Sequence, residues 1–591
     1  MMYVLGISCF YHDSAAALVK DGSLIAAAEE ERFSRQKHTS RFPSAAVRYC
    51  LSQAGITIDD VDYICFYEKP FVKFDRILTT LIAEFPRTYA AFMKALPLWL
   101  SERLWTKTVI QKYLGTEKEI LFNEHHMSHA ASAYFCSPFE RAAILTVDGV
   151  GEWCTTAYGI GEANRITLEG EIRFPHSLGL FYSAVTAYLG FHVNDAEWKV
   201  MGLAAYGQPR YVEQFEQLLE LRGDGSYRLN MDYFAFHYST KLPFSHRFER
   251  LFGRPQRKPS EPLDEFHNDI AASAQLMIER AMVNMASALY RRYKVDALCL
   301  AGGVALNSVA NWQIARRSGF KHLFIQPAAG DAGGAIGAAF SVYHLMLGQP
   351  RKFVMEHAYW GPEYSDEDIV RFLDENGIEY KQYSRDALLE ETAKLIMADK
   401  VVGWFQGRME FGPRALGARS ILANPTNPDM KRIINSKIKF REWFRPFAPS
   451  VTEEDAAKYF DIGEHTSPFM LLVPEVRPEA RALIPAVTHQ DGTGRVQTVS
   501  RKVNPLYYDL IRAFERISGV PVIVNTSFNV RGEPIVCTPA DAYNCFIRTD
   551  MDALVIGNAI VTAKTKGAVY SETEVEQMEA RIAELEPEIA F

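Results

Sequence analysis

In Glu124-His125-His126-Met127-Ser128-His129 two histidines stand four residues apart. On a helix that spacing puts His125 and His129 on one face, where they can chelate one metal ion. The second position of the motif is His126, so the H-E-x-x-H pattern with its built-in general base is absent. The alternative is a histidine cluster satisfied by hydrogen bonds at a helix start. Two carboxylates favour the metal. Asp148, in Val147-Asp148-Gly149, and Asp331, in Ala329-Gly330-Asp331-Ala332-Gly333, each end or follow an apolar strand beside glycines, where an α/β cleft opens. Two imidazoles and two carboxylates make a mixed N/O set suited to iron, manganese or zinc. His12, beside Asp13, can take a proton near neutral pH; turn chemistry from Asp13 and Ser14 is the competing reading.

Gly302-Gly303-Val304-Ala305-Leu306-Asn307 and the glycines after Asp331 follow predicted strands and open helices. Such loops let backbone N–H groups approach a nucleotide, with phosphate drawn to the helix N-terminus, although tight turns use Gly-Gly as well. The mixed-charge run Glu29–His38 reads as a solvated strand end. Further on, Arg408, Arg414 and Arg419 are spaced by glycines and apolar residues in Gly407–Ser420. That pattern is a poor solvated helix face and a good set of forks for phosphate. Asn435–Phe447 interleaves bases and aromatics, which suits either stacked single-stranded nucleic acid or a small phosphorylated ligand. The acidic chain favours the small ligand. Arg495 and Asn525-Thr526-Ser527-Phe528-Asn529 add cationic, amide and hydroxyl groups, the latter after the apolar strand Val520–Val524.

These residues need elements to hold them. Tyr3–Ser8, Ser14–Lys20 and Ser23–Ala28 read as a β-meander with Asp21-Gly22 as a turn. A helix opens at Pro43 and stops at Gly55, and Ile64–Tyr67 is the next strand. Residues 74–114 are helical and rich in large apolar side chains, an insertion. Ala142–Val147 and Thr155–Ile160 begin a second meander, followed by a helix near 264–293, the strands Ala297–Ala301 and Leu323–Ile325, and a helix from Asp331. Two meanders that each feed αβ units predict a duplicated α/β architecture like that of actin and the sugar kinases. His12 then falls at the loop that cradles phosphate in such ATPases. Composition shifts at Gly348-Gln349-Pro350-Arg351, which places a domain boundary near residue 350. Beyond it come a helix over Asp386–Asp399, a strand over Val401–Phe405 and, from Glu572, a charged amphipathic helix.

The net charge is −8, which argues against a nucleic-acid coat or an anionic-membrane binder while leaving room for a local basic pocket. Eight scattered cysteines without a C-x-x-C pair fit reduced thiols in a cytoplasm. No leader is expected at the N-terminus, and neither Tyr89–Leu100 nor Ala328–Leu347 supplies an uncharged run of membrane-spanning length.

In their order along the chain, Tyr11–Ala16, Glu29–His38, His125–His129, Trp198–Ala204, Gly302–Asn307, Gly330–Gly334, Gly407–Ser420, Arg445–Pro449 and Asn525–Asn529 resemble the O-carbamoyltransferases of the NodU/CmcH type. These enzymes carbamoylate nodulation factors, cephalosporins and other natural products. The resemblance implies an actin/sugar-kinase-like domain over 1–350, similar to the tRNA threonylcarbamoyl transferase, and a YrdC-like α/β domain over 351–591. The second domain would turn carbamoyl phosphate and ATP into carbamoyl-adenylate, and the first would pass the carbamoyl group to an acceptor hydroxyl beside bound iron(II). On the matching positions His125, His129, Asp148 and Asp331 would hold the metal. His12 would be the base, with Lys37 near the nucleotide or acyl phosphate. Asp232, Gly302, Gly303, Asn307 and Gly330 would line the acceptor and nucleotide pocket. Arg414, Lys439 (or Lys437), Arg445, Arg495, Asn525 and Ser527 would hold carbamoyl phosphate and ATP, with Mg2+ accompanying the nucleotide. The partners expected are a hydroxylated small molecule and a second copy in a homodimer, with no nucleic acid and no membrane. A tRNA threonylcarbamoylation enzyme would need a basic surface. A hydrogenase-maturation carbamoyltransferase adds an acylphosphatase domain and cysteine zinc fingers. A non-catalytic ATP sensor would leave the arginine-rich half unexplained.

Overall fold

The computed structural model describes residues 1–564 apart from 440 and 441; the charged helix expected from Glu572 lies outside the described residues. The N-terminal part is built twice from one plan. Strands β1 (Tyr3–Ser8), β2 (Ala15–Lys20), β3 (Ser23–Glu29), β4 (Tyr63–Phe66) and β5 (Ile120–Phe122) form a sheet in the order β3-β2-β1-β4-β5. The second sheet uses β6 (Arg141–Val147), β7 (Cys154–Glu162) and β8 (Arg165–Arg173), then, after the small hairpin β9 (Leu219–Leu221) and β10 (Tyr227–Leu229), β11 (Ala297–Ala301) and β12 (His322–Ile325). Its order is β8-β7-β6-β11-β12. In each sheet the first strand pairs antiparallel with the meander and parallel with the later strand. The duplication is therefore a matter of topology, strand for strand, as the two meanders imply.

Two helices, His125–Tyr134 and Asp331–Phe340, pack closely on each other in the core. Small residues permit it: a Cβ at Gly337 would stand 1.7 Å from the Ser128 carbonyl oxygen, and one at Gly6 would stand 1.9 Å from that of Ala335. Ala328–Leu347 is thus apolar because it is interior. The glycines after Asp331 are helical packing positions, and that corrects their reading as a phosphate loop: Gly333 abuts the Ala328 carbonyl and Gly334 the Tyr67 ring.

The C-terminal part is a separate mixed α/β assembly. Strands β13 (Lys381–Gln382), β14 (Val402–Phe405), β15 (Arg419–Ala423), β16 (Ala448–Thr452), β17 (Gln497–Val499), β18 (Val522–Ser527), β19 (Ala553–Ile556) and β20 (Ala559–Val561) form one sheet, ordered β13-β20-β19-β14-β15-β18-β16-β17. Asn525 and Ser527 lie within β18, not beyond its end as the apolar run suggests, because the strand continues through its polar residues to pair with β15. The run Glu29–Arg32 is buried, not solvated. The C-terminal part covers it, with Arg32 donating to the Gly412 carbonyl at 3.0 Å and Arg35 to that of Ile535 at 2.7 Å.

Candidate functional site

The helix His125–Tyr134 follows β5 and starts against Glu152, whose carboxylate accepts from the His125 and Lys69 backbone N–H groups. An acid there satisfies orphan donors and the helix dipole together. One turn apart, the two imidazoles bring their Nε2 atoms to 3.1 Å from each other. Asp148, just past β6, places Oδ2 3.2 Å from His125 Nε2, and Asp331, at the start of its helix, places Oδ1 3.6 Å from both rings. All four ligand atoms lie within 4.8 Å of one another. Asp148 is oriented by the Gly303 N–H, which donates to its other oxygen at 2.8 Å. Gly302 makes this approach possible with φ +89, and a Cβ there would stand 2.3 Å from the Val147 carbonyl oxygen.

The donor set fits a cation. Asp331 Oδ1 is buried without a hydrogen-bond partner while aimed at the two Nε2 atoms, and a fixed cation is what such a convergence of buried lone pairs accommodates. The charges point the same way. Burial lowers the His125 pKa, but Asp331 and Asp148 outweigh it and raise it to about 9. Burial raises the Asp148 pKa, but the His125 bond and the neighbouring imidazoles hold it well below the carboxylate range. His126 is not part of this group. It bonds Thr146 Oγ1 at 2.7 Å and the Cys154 carbonyl at 3.1 Å, and burial keeps it neutral.

His12 stands in the β1–β2 hairpin with Nδ1 3.1 Å from Asp13 and Nε2 4.0 Å from Asp331. Burial disfavours its charge, but Asp331 and Asp13 prevail and lift its pKa to about 9. Asp13 also binds His38, which with Lys37 is held by Asp195. Asp195 went unread in the sequence, although it stands three residues before the Trp198-Lys199 motif.

A cavity of about 430 Å³ opens from this cluster toward the C-terminal sheet. His12, Lys37, Asp148, Gly303, Asn307 and Gly330 line one side of it. Arg414, Arg445, Arg495, Asn525 and Ser527 line the other. Arg414 is part-buried at the cavity wall, and desolvation lowers its pKa to about 10. Its Nε has no hydrogen-bond partner. Asn525 donates to the Ala415 carbonyl, Ser450 and Gln497 and leaves Oδ1 unpartnered. Arg445 lies with its guanidinium 3.6 Å from the centroid of Trp198, a contact that joins the two parts of the chain. Burial lowers its pKa to about 10, with Glu442 opposing. Lys439 Nζ donates to the Ser527 carbonyl at 2.5 Å and to Asn529 at 2.9 Å, whereas Lys437 pairs with Asp552 at 3.0 Å. Of the two lysines, Lys439 is the one beside the cavity residues.

Three expectations need correction. Arg408 and Arg419 are not phosphate forks. Arg408 donates to the Ile25, Trp360 and Gly361 carbonyls, and Arg419 to those of Gln406, Gly407 and Pro362. Arg408 docks the loop on the N-terminal part through Ile25, and the terminal nitrogens of Arg419 hold carbonyls of the C-terminal part itself. Gly302 acts behind the cavity wall, and Asp232 stands apart from it, exposed and paired with Arg247. The structure also reveals Glu410, whose Oε1 accepts from the Leu416, Ala418 and Arg419 N–H groups at 2.7, 2.8 and 3.3 Å. It ties down the loop that presents Arg414. A lone carboxylate among arginines invites an ion-pair reading, which hid this role. Glu410→Gln weakens charge-assisted bonds by about 1.5–3 kcal/mol in total. Steady-state kinetics should show the KM for the anionic substrate of the Arg414 subsite rising roughly tenfold, with kcat changing less.

Two family models match the chain: "Carbamoyltransferase N-terminus" over residues 3–340 and "Carbamoyltransferase C-terminus" over 393–563. The chain is 50% identical to the uncharacterized protein sll1178 of Synechocystis, over 96% of this chain and 97% of that one. It is 39% identical to the nodulation protein NolNO of Sinorhizobium fredii, over 94% and 80% of the two chains. Against the nodulation protein NolO of Bradyrhizobium diazoefficiens the identity is 40%, over 74% and 78%.

Proposed function

The chain belongs to the carbamoyltransferase family and is a carbamoyltransferase, and from that premise we propose that it carbamoylates a hydroxyl of a small-molecule natural product in two connected steps. The division at residue 350 separates the two activities. In the part over 351–591, carbamoyl phosphate, ATP and water yield carbamoyl-adenylate, phosphate and pyrophosphate. Arg414, Arg445 and Arg495 counter the phosphate charges, Lys439 holds Ser527 and Asn529 in place from behind, and Asn525 and Ser527 are orienting groups, with Mg2+ accompanying ATP. In the part over 1–350, the acceptor oxygen attacks the carbamoyl carbon, AMP leaves, and His12 Nε2 takes the hydroxyl proton. Lys37 faces the acyl phosphate, and Asn307, Gly303 and Gly330 border the nucleotide and acceptor.

His125, His129, Asp148 and Asp331 are the proposed ligands of a divalent cation, iron(II) on the resemblance and the N/O donor set, which when bound supplies Lewis acidity beside the acceptor. With a dication held by them, Asp331 and Asp148 would raise the His12 pKa less, which would suit His12 to accept a proton near neutral pH.

The observation that carries this reading is a cavity that runs from His12 and Asp148, at the edge of the His/Asp cluster, to Arg414, a part-buried arginine with no ion-pair partner among the described residues. A connected path suits an intermediate that water destroys. The test supplies carbamoyl phosphate, ATP and a panel of hydroxylated natural products and follows carbamoylated product by mass. The expected result is an alcohol heavier by one carbamoyl group, and pyrophosphate release that needs carbamoyl phosphate but no acceptor. Pyrophosphate release indifferent to carbamoyl phosphate would overturn the two-step scheme.

A further inference from the structure

Pro70–Leu114 folds between β4 and β5 as the helices Pro70–Ala83, Tyr89–Ser101 and Thr106–Leu114, with a short turn of helix before the last. Its inner side is anchored to the body. Lys73 pairs with Glu68 at 2.7 Å and lies 4.8 Å from the Tyr11 ring centroid, and Asp75 accepts from the Trp153 indole at 2.9 Å. Its outer side inverts the usual surface pattern. On the first helix the exposed large apolar side chains are Phe71, Val72 and Ile82, and on the second the exposed positions Tyr89, Met93, Pro97 and Leu100 recur every three or four residues. Tyr89–Ser101 buries none of its residues despite its apolar sequence. Nine of the seventeen exposed large apolar side chains among the described residues lie between Phe71 and Tyr113, so the exposure is concentrated.

The charge of this segment opposes that of the chain. Pro70–Leu114 holds seven Lys and Arg against three Asp and Glu, in a protein of net charge −8. Arg87, Lys94, Lys107 and Lys112 are exposed, and the exposed acid Asp75 is the one held by Trp153. Apolar and aromatic side chains flanked by cations are the composition of helices that lie in a lipid headgroup layer. No helix among the described residues is long and apolar enough to cross a membrane, so such a contact is with the surface. A second copy fits this face poorly, since a twofold contact would set two patches of like charge against each other.

The geometry points to Pro70–Leu114 as a docking surface that holds the enzyme on an anionic lipid bilayer. The overall acidity, which argues against such binding, is an average over a chain whose basic apolar patch is local. Flotation of the full chain with vesicles tests it, using phosphatidylcholine alone or with phosphatidylglycerol added. Recovery with the anionic vesicles should be greater by about tenfold or more and should fall in high salt. Phe85→Ser/Tyr89→Ser/Leu100→Ser and, separately, Lys94→Glu/Lys107→Glu should each abolish the enrichment. Both variants should keep the wild-type unfolding midpoint and carbamoyl-phosphate-dependent pyrophosphate release. Wild-type recovery independent of lipid, or a serine variant that floats as the wild type does, overturns the proposal. So does a wild-type dimer that the serine variant turns into a monomer, since the occupant is then a second copy.

Discussion

Arg414→Met lowers carbamoyl-phosphate-dependent pyrophosphate release by about 10²–10³-fold and at the same time makes the unliganded protein more stable. Both effects have one cause. Arg414 is part-buried at the cavity wall, desolvation pulls its pKa down to about 10, and no carboxylate among the described residues pairs with it. Holding that cation partly out of water costs folding free energy, and an apolar side chain of similar length removes the cost, a gain of about 1 kcal/mol. The cost is recovered only when an anion occupies the cavity. Carbamoyl phosphate should therefore raise the unfolding temperature of the wild type and leave that of Arg414→Met nearly unchanged. Calorimetry with and without ligand, beside a pyrophosphate assay, checks both halves. A variant that is less stable and fully active would remove Arg414 from the site.

His125→Ala/His129→Ala should lose its bound metal and its carbamoyl transfer while retaining pyrophosphate release. The two rings and two carboxylates converge on one point, so removing both imidazoles leaves two carboxylates, too few to hold a transition metal. The arginine subsite lies on the other side of the cavity and should be untouched. Metal analysis should find about one ion per wild-type chain at the four-residue site. His125→Asn/His129→Asn serves as a second variant if the alanine pair packs poorly, because both rings are nearly fully buried. Proton release gives a further reading. With the His125 pKa raised to about 9 in the ion-free site, binding at pH 7 must displace a proton from it. Titration in two buffers of different ionisation heat measures that proton. Full metal content in the double variant would remove these ligands from the proposal.

Local spacing accounts for much of what was legible. His125 and His129 needed only a helix to share a face, and Asp148 and Asp331 only strand ends. Meander patterns recurring at Tyr3 and at Ala142 were enough to indicate the duplication, because strand periodicity and turn residues are properties of short segments. Motif order along the chain indicated the family, and composition showed an acidic average that hid two local basic regions.

The partners of each side chain were decided by the tertiary structure. Arg408, Arg414 and Arg419 look alike in sequence. Only Arg414 faces the cavity: Arg408 is turned to the Ile25 carbonyl of the N-terminal part and to that of Trp360, and Arg419 to carbonyls of its own C-terminal part. Glu29–Arg32 reads as solvated until the C-terminal part covers it, and Glu410 finds backbone donors instead of arginines. Asp232 ends on the surface, and Asp195 reaches Lys37 and His38 across about 160 residues of chain, a contact no local pattern announces. Residue type and spacing set which chemistry the chain can perform. Which groups perform it depends on burial and on long-range hydrogen bonds, and these exist only once the two parts have closed on one cavity.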